Sequence, residues 1–152
     1  MLHDLLITFF LSMTPIGELR AGIPYGLTQD LPPILTFATA VAGNMAPVVF
    51  LLWGLPKFEK IIAEKFHETS LYRFYRWYKT RTERKHSKLF QRLGALALIV
   101  FVAIPLPLTG GWSGALAAHI FHIPPKKSAG LILMGVMIAG FIVSLLSLNI
   151  IF

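Results

Sequence analysis

The sequence predicts an all-α integral membrane protein built as an inverted repeat, in which each half is a re-entrant helical hairpin followed by a transmembrane helix. Three observations lead to this prediction. Hydrophobic residues make up 55% of the 152 residues, and 14% are charged, against about a quarter in an average soluble domain. Proline and glycine interrupt two apolar stretches that are too short to cross a bilayer. These interruptions also fall at matching spacing in the two halves.

The first apolar run covers only the ten residues 5–14. As a helix it reaches about 15 Å, roughly half of a ~30 Å hydrocarbon layer. Pro15, Gly22 and Pro24 follow as structural breakers. Backbone that stops inside the bilayer needs protein or a watery cavity around it, because lipid offers no hydrogen-bond partner. A re-entrant hairpin therefore fits this region better than a spanning helix.

Glu18 and Arg20 lie inside this hairpin, where each charge costs on the order of 2.5 to 3.5 kcal/mol on insertion scales. Residues two apart point to different sides of a helix, so we expect that these two do not simply neutralise each other. At least one then needs another partner, a cavity or a ligand. In the alternative interpretation, both side chains snorkel to the interface and only anchor the topology.

A polar turn over 28–33 leads to the first predicted spanning helix, 34–55, whose 22 residues reach about 33 Å. Asn44 lies inside this helix. Pro47 frees a backbone carbonyl about one turn earlier, close to Asn44. The asparagine is therefore either a binding residue or part of a kink that a neighbouring helix satisfies.

The connector 57–92 carries eleven Lys or Arg against four Glu, so the whole formal net charge of +7 lies in it. By the positive-inside rule the connector is cytoplasmic, which predicts a multi-pass protein of the cytoplasmic (inner) membrane with membrane lipids as partners. Its amphipathic pattern, and the alternating aromatic and arginine residues of 71–78, predict helical structure in the headgroup zone. We expect no nucleic-acid partner.

The second half repeats the plan of the first. A return helix is predicted over 93–104, a short helix over 114–121 and the last span over 128–150. The structural breakers of this half are Pro105, Pro107, Gly111 and Gly114. Shifting the sequence by 92 residues aligns Pro15 with Pro107 and Gly22 with Gly114.

Counting the crossings places the two halves in opposite orientation, as in many secondary transporters that build one central site from two discontinuous helices. We therefore expect one membrane domain over 1–152. It consists of repeat 1 at about 5–55, the connector 57–92 and repeat 2 at about 93–150.

Composition also limits the chemistry. The chain has no cysteine, which excludes disulfides and thiolate metal sites. His119 and His122 are three residues apart and could share one helix face, but no third ligand candidate lies nearby. We interpret them as interfacial residues and expect no metal and no cofactor.

Thr14 with Pro15, and Thr109 with Gly110, have the pattern of an N-cap followed by the first helical residue. Two half-helix N-termini would then meet near the midplane and offer free N–H groups to an anion. The predicted substrate-binding residues are Arg20, Thr14, Asn44, Thr109 and Gly110. We predict that Glu18 takes up a proton during the cycle, because desolvation favours its neutral form.

Two motifs carry a resemblance to a known family. Residues 18–26 (ELRAGIPYG) and 105–114 (PLPLTGGWSG) resemble the putative small multi-drug export protein family, regarded as a distant relative of the DedA, or SNARE-associated, membrane proteins. The resemblance covers nearly the full chain and implies paired re-entrant loops, spanning helices and transport across the membrane. DedA relatives are associated with moving lipid phosphates, including undecaprenyl phosphate, and with maintaining the proton-motive force.

The predicted function is proton-coupled membrane transport of a small amphiphilic or anionic, lipid phosphate-like substrate or drug, and not catalysis. An intramembrane enzyme acting on lipid head groups would use the same carboxylate and arginine, but it would usually need a nucleophile or a metal. A scaffold or assembly protein would instead hold partners or lipids with the basic connector. Because so few spans would enclose the broken helices poorly, we expect a homodimer or close packing between the hairpins.

Overall fold

The computed structural model describes residues 1–66, 73, 76, 77, 94–106 and 109–151. Every regular element in these ranges is a helix, which confirms the predicted all-α class for this part of the chain. The helices are α1 (Leu2–Met13), α2 (Glu18–Thr28), α3 (Pro33–Phe66), α4 (Gly94–Ala103), α5 (Gly111–Ile120) and α6 (Pro125–Ile151).

Two of the described helices are long and apolar enough to cross a bilayer, over Pro33–Ile61 and Pro125–Ile150. The prediction ended the first of them before Pro56, but α3 continues to Phe66. A proline removes one helical hydrogen bond and bends the helix, and the amphipathic residues that follow it here still continue the same helix. The last span agrees with its prediction except for three residues at its start.

The short helices come in pairs along the chain, α1 with α2 and α4 with α5, and a long helix follows each pair. With 12, 11 and 10 residues, α1, α2 and α5 are each too short to cross a ~30 Å hydrocarbon layer. The re-entrant path of each pair and the inversion of the two halves stay predictions, because helix lengths alone do not define the bilayer boundary.

Three of the predicted structural breakers lie inside helices, so that part of the prediction is wrong. They are Gly22 and Pro24 in α2, and Gly114 in α5, whereas Gly111 is the first residue of α5. The glycines serve close packing instead: a Cβ on Gly22 would meet the Ser12 side chain, and one on Gly114 would meet Val102. The actual breaks are the turns that contain Pro15 and Pro105, while Pro107 lies outside the described residues.

The hydrophobic core joins the two halves. α2 packs on α6, and α5 packs on α3, so each of these short helices lies against the long helix of the other half. The buried core includes Leu19 and Ile23 of α2, Val48 and Leu52 of α3, Ala115 of α5, and Ile132 and Val136 of α6. This cross-packing brings the first residues of α2 and α5 together.

Candidate functional site

A small cavity lies where α2 and α5 begin. Its volume of about 10 Å³ has room for about one water molecule. The polar part of its lining is Glu18, Arg20, Asn44, Thr109 and Gly110. Val102, Pro105 and three residues of α6 contribute to the apolar wall. The structure therefore brings together five of the six residues predicted to bind substrate or a proton, and only Thr14 lies elsewhere.

Glu18 is the first residue of α2 and has an unusual backbone conformation. Its φ is 47°, in the left-handed region that residues other than glycine, asparagine and aspartate rarely adopt. Such a conformation costs of order 1–3 kcal/mol and is most common at functional sites. The residue is 6% exposed. The strained backbone conformation of Glu18 thus holds a carboxyl group inside the protein.

The Glu18 carboxylate lies at the N-terminus of α5. It occupies the space next to Gly110 that a Cβ there would fill, and Gly110 is the N-cap of α5. The backbone N–H of Trp112, in the first turn, donates a hydrogen bond to this carboxylate. Glu18 therefore caps α5 from the other half of the chain, where its negative charge also complements the helix dipole.

Arg20 is the counter-charge of Glu18. One guanidinium nitrogen, Nη2, lies 3.8 Å from Glu18 Oε2, so the prediction that the two do not neutralise each other is wrong. That prediction assumed regular helical spacing, which the positive φ of Glu18 removes. At 3.8 Å the contact is an ion pair longer than a hydrogen bond, and it leaves guanidinium N–H groups for another acceptor.

Asn44 is 1% exposed and contacts both halves. Its Nδ2 donates to the backbone carbonyl of Ser12 at 3.4 Å, at the end of α1. Its Oδ1 lies against Gly111 and has no hydrogen-bond partner among the described residues. A buried acceptor without a donor costs about 1–3 kcal/mol. Asn44 Oδ1 therefore marks a position in the cavity where a hydrogen-bond donor would be stabilised.

Thr14 closes the turn between α1 and α2. Its Oγ1 donates to the Leu11 carbonyl at 2.8 Å and accepts the Gly17 N–H at 3.1 Å. This is N-cap geometry, but it caps only the single turn at Pro15, since α2 begins at Glu18. The prediction that Thr14 caps the helix itself is wrong because the left-handed Glu18 separates that turn from α2.

Thr109 has a similar role before α5. Its Oγ1 accepts the Leu106 N–H at 3.1 Å and donates to the Ile104 carbonyl at 2.6 Å. The hydroxyl is thus used within its own loop, and Gly110 rather than Thr109 is the N-cap of α5. The predicted cap is one residue early, because the loop after α4 takes up the threonine side chain.

Trp112 is a site residue that the sequence reasoning did not identify. Its indole Nε1 donates to the Met13 carbonyl at 3.1 Å and joins the start of α5 to the end of α1. The Gly-Gly-Trp sequence in the second motif was the available signal. The sequence predicts a break, an anion-binding Gly110 and a family motif here, but nothing in it shows which distant carbonyl the indole reaches.

A second polar contact lies at the far end of α5. His119 Nε2 is 2.8 Å from Glu59 Oε2 on α3. These two residues and His122 line a cavity of about 270 Å³. Within the described residues, no group of three His, Asp or Glu could hold a metal ion. The pair joins α5 to the part of α3 that extends beyond the predicted span.

Comparison with known proteins supports one family. A search of curated proteins and of solved structures finds no match to this chain. The family described as Putative small multi-drug export protein matches residues 18–142. The matched region begins at Glu18, covers most of the chain and contains every polar residue of the cavity. The chain therefore belongs to the putative small multi-drug export protein family.

Proposed function

We propose that this protein is a proton-coupled transporter of the cytoplasmic membrane that moves an amphiphile with an acidic, lipid phosphate-like head group. The family and the two apolar helices support membrane transport. The observation that carries the finer proposal is the cavity between the halves, in which a buried acid, a base and a helix N-terminus meet.

The surface supports insertion in lipid. Large apolar side chains are exposed along the outside of α6, a surface that would be unfavourable in water. They include Met134, Met137, Phe141, Leu145 and Leu146. Membrane lipids are thus the proposed surroundings of the long helices, and an amphiphile could reach the site from the bilayer.

The charges around the cavity favour an anion as the substrate. Arg20 contributes a full positive charge, and the N-terminus of α5 contributes N–H groups that have no partner within the helix and a partial positive charge. A phosphate group accepts hydrogen bonds from both kinds of donor. A cavity of about 10 Å³ has no room for such a group, so transport requires the two halves to separate where α2 meets α5.

Glu18 is the proposed proton carrier. Its carboxyl group is buried, and burial of a charge is tolerated only while partners offset it. Arg20 and the Trp112 N–H offset the charge in this structure. Movement of the halves would remove the Trp112 contact, and the carboxyl group would then take up a proton.

Transport in liposomes tests this proposal. The reconstituted protein is offered fluorescent lipid phosphates or cationic drugs under a set proton gradient. We expect gradient-dependent movement of the phosphates, loss of the gradient dependence in Glu18→Gln, and normal behaviour in Asp30→Asn. Asp30 is a matched control because it also has a positive φ, 55°, but is exposed.

Several outcomes would contradict the proposal. Gradient-driven transport by Glu18→Gln at the wild-type rate would exclude Glu18 as the proton carrier. Movement of cationic drugs without movement of lipid phosphates would exclude the anionic substrate class. Release of a cleaved head group would indicate an enzyme.

A further inference from the structure

The Glu18 carboxylate lies where an anionic substrate would bind. The N-terminus of a helix is a ready anion site because its first N–H groups have no partner within the helix. In α5 this position is already taken, since Glu18 contacts Gly110 and accepts the Trp112 N–H. A substrate phosphate and the charged Glu18 would compete for the same donors.

A buried acceptor lies next to the present position of the Glu18 side chain. Glu18 lies against Gly110 and Asn44 Oδ1 lies against Gly111, and consecutive Cα atoms are about 3.8 Å apart. Asn44 Oδ1 is a buried acceptor with no partner in the described part of the chain. A protonated carboxyl group has an O–H to donate, whereas a carboxylate has none. Asn44 Oδ1 therefore suits only the neutral form of Glu18.

The net charge of the cavity depends on whether Glu18 is protonated. Among the described residues, Arg20 is the only base in its lining and Glu18 the only acid. From α3 the cavity receives Asn44, and from α4, α6 and the described part of the loop before α5 it receives no ionisable residue. With Glu18 charged, the side chains sum to zero. With Glu18 neutral, one positive charge and the α5 N-terminus remain, which attracts an anion.

We infer that Glu18 is a built-in competitor of the substrate: its charged form closes the anion site of α5, and its protonated form turns to Asn44 Oδ1 and opens that site to a tetrahedral oxyanion. The inference rests on the proposed function, because the site is the one proposed for the substrate head group. It adds that proton and anion bind together, each raising the affinity for the other.

Sulfate binding to the purified full-length protein in detergent micelles tests this competition. Sulfate keeps its charge between about pH 5 and about pH 8, a range that carboxyl groups in proteins can titrate across when buried. Any change in affinity therefore comes from the protein. Calorimetry should show wild-type affinity at least about tenfold higher at the lower pH, within the usual range of coupling between two sites.

Four variants separate the competitor role from other causes. Glu18→Gln should bind sulfate tightly at both pH values, because its amide is neutral and can donate to Asn44. Asp30→Asn should behave as wild type. Arg20→Gln should lose the pH-dependent binding, while sulfate held by the basic connector would remain. Asn44→Leu, which removes the acceptor, should shift the rise in affinity to a lower pH.

The outcomes also separate this inference from the proposed function. A wild-type affinity that does not change with pH, or a Glu18→Gln affinity that still falls at the higher pH, would overturn the competition. If Glu18→Gln did not fold, an unshifted profile in Asn44→Leu would overturn it. If the sulfate results were as expected but liposomes moved no substrate, the competition would stand and the transport proposal would fall.

Discussion

Gly110 shows how closely the residues of the site fit. The Glu18 carboxylate fills the space where any other residue at this position would place its Cβ. The break in the helix at this loop could be predicted from its Pro and Gly residues. The contact could not, because it depends on the left-handed φ of Glu18 and on a residue far away in the chain.

The first prediction concerns this glycine. Gly110→Ala should reduce the free energy of unfolding by about 1–3 kcal/mol, since the added methyl group must displace the carboxylate or α5. Thermal unfolding followed by circular dichroism would measure the change. Gly130→Ala is the matched control: it lies in α6 with nothing within 4 Å of its Cβ position, and it should not destabilise the protein. Equal stability of the two variants would contradict the fit.

At the scale of the helices, the sequence predicted the order of short and long elements but not their ends. Two short segments broken by proline and one long apolar run per half could be predicted, because length and hydropathy decide them. The helix starts were missed because Thr14 and Thr109 bond within their own loops, while the cap of α5 comes from Glu18. Capping by a distant residue leaves no local sequence signal.

Substitution of Trp112 tests whether the indole hydrogen bond stabilises the start of α5. Trp112→Phe keeps most of the ring but removes the bond to the Met13 carbonyl. We expect a loss of about 0.5–1.5 kcal/mol in unfolding free energy. Trp53→Phe, a change at a ring that is 42% exposed, is the control. Similar effects of both changes would show that the indole bond does not hold α5.

The other end of α5 offers an independent test. His119→Gln, Glu59→Gln and the double variant form a double-mutant cycle on the 2.8 Å contact. We expect a coupling energy of about 0.5–3 kcal/mol from chemical or thermal unfolding, as for side chains in direct contact. A coupling near zero would mean that this pair does not join α5 to α3.

At the scale of the whole molecule, charge is separated from the site. The connector carries the net positive charge, and its described residues Arg73 and Arg76 are helical and exposed. Composition predicted this separation, since charge can be counted without any structure. The repeat predicted that the starts of α2 and α5 meet. Their atomic contacts could not be predicted, because they depend on how each helix packs on the long helix of the other half.

Because the charged connector is separate from the cavity, variants in these two regions distinguish a transporter from a scaffold. Arg73→Gln combined with Arg76→Gln should leave the proton dependence of transport unchanged, because neither residue lines the cavity. The liposome assay described for Glu18→Gln would measure it. Loss of function in this double variant, with normal function in Glu18→Gln, would instead favour a protein that holds partners through its connector.

The packing of α2 on α6 also constrains biogenesis. Leu19 contacts the region of Gly140, so the ribosome must synthesise the chain through much of α6 before this face of α2 meets its final neighbour. Until α5 is synthesised, the nascent N-terminal half carries Glu18 without the helix that it caps. We therefore expect that insertion by the translocon finishes late, and that quality-control proteases remove chains truncated before α6.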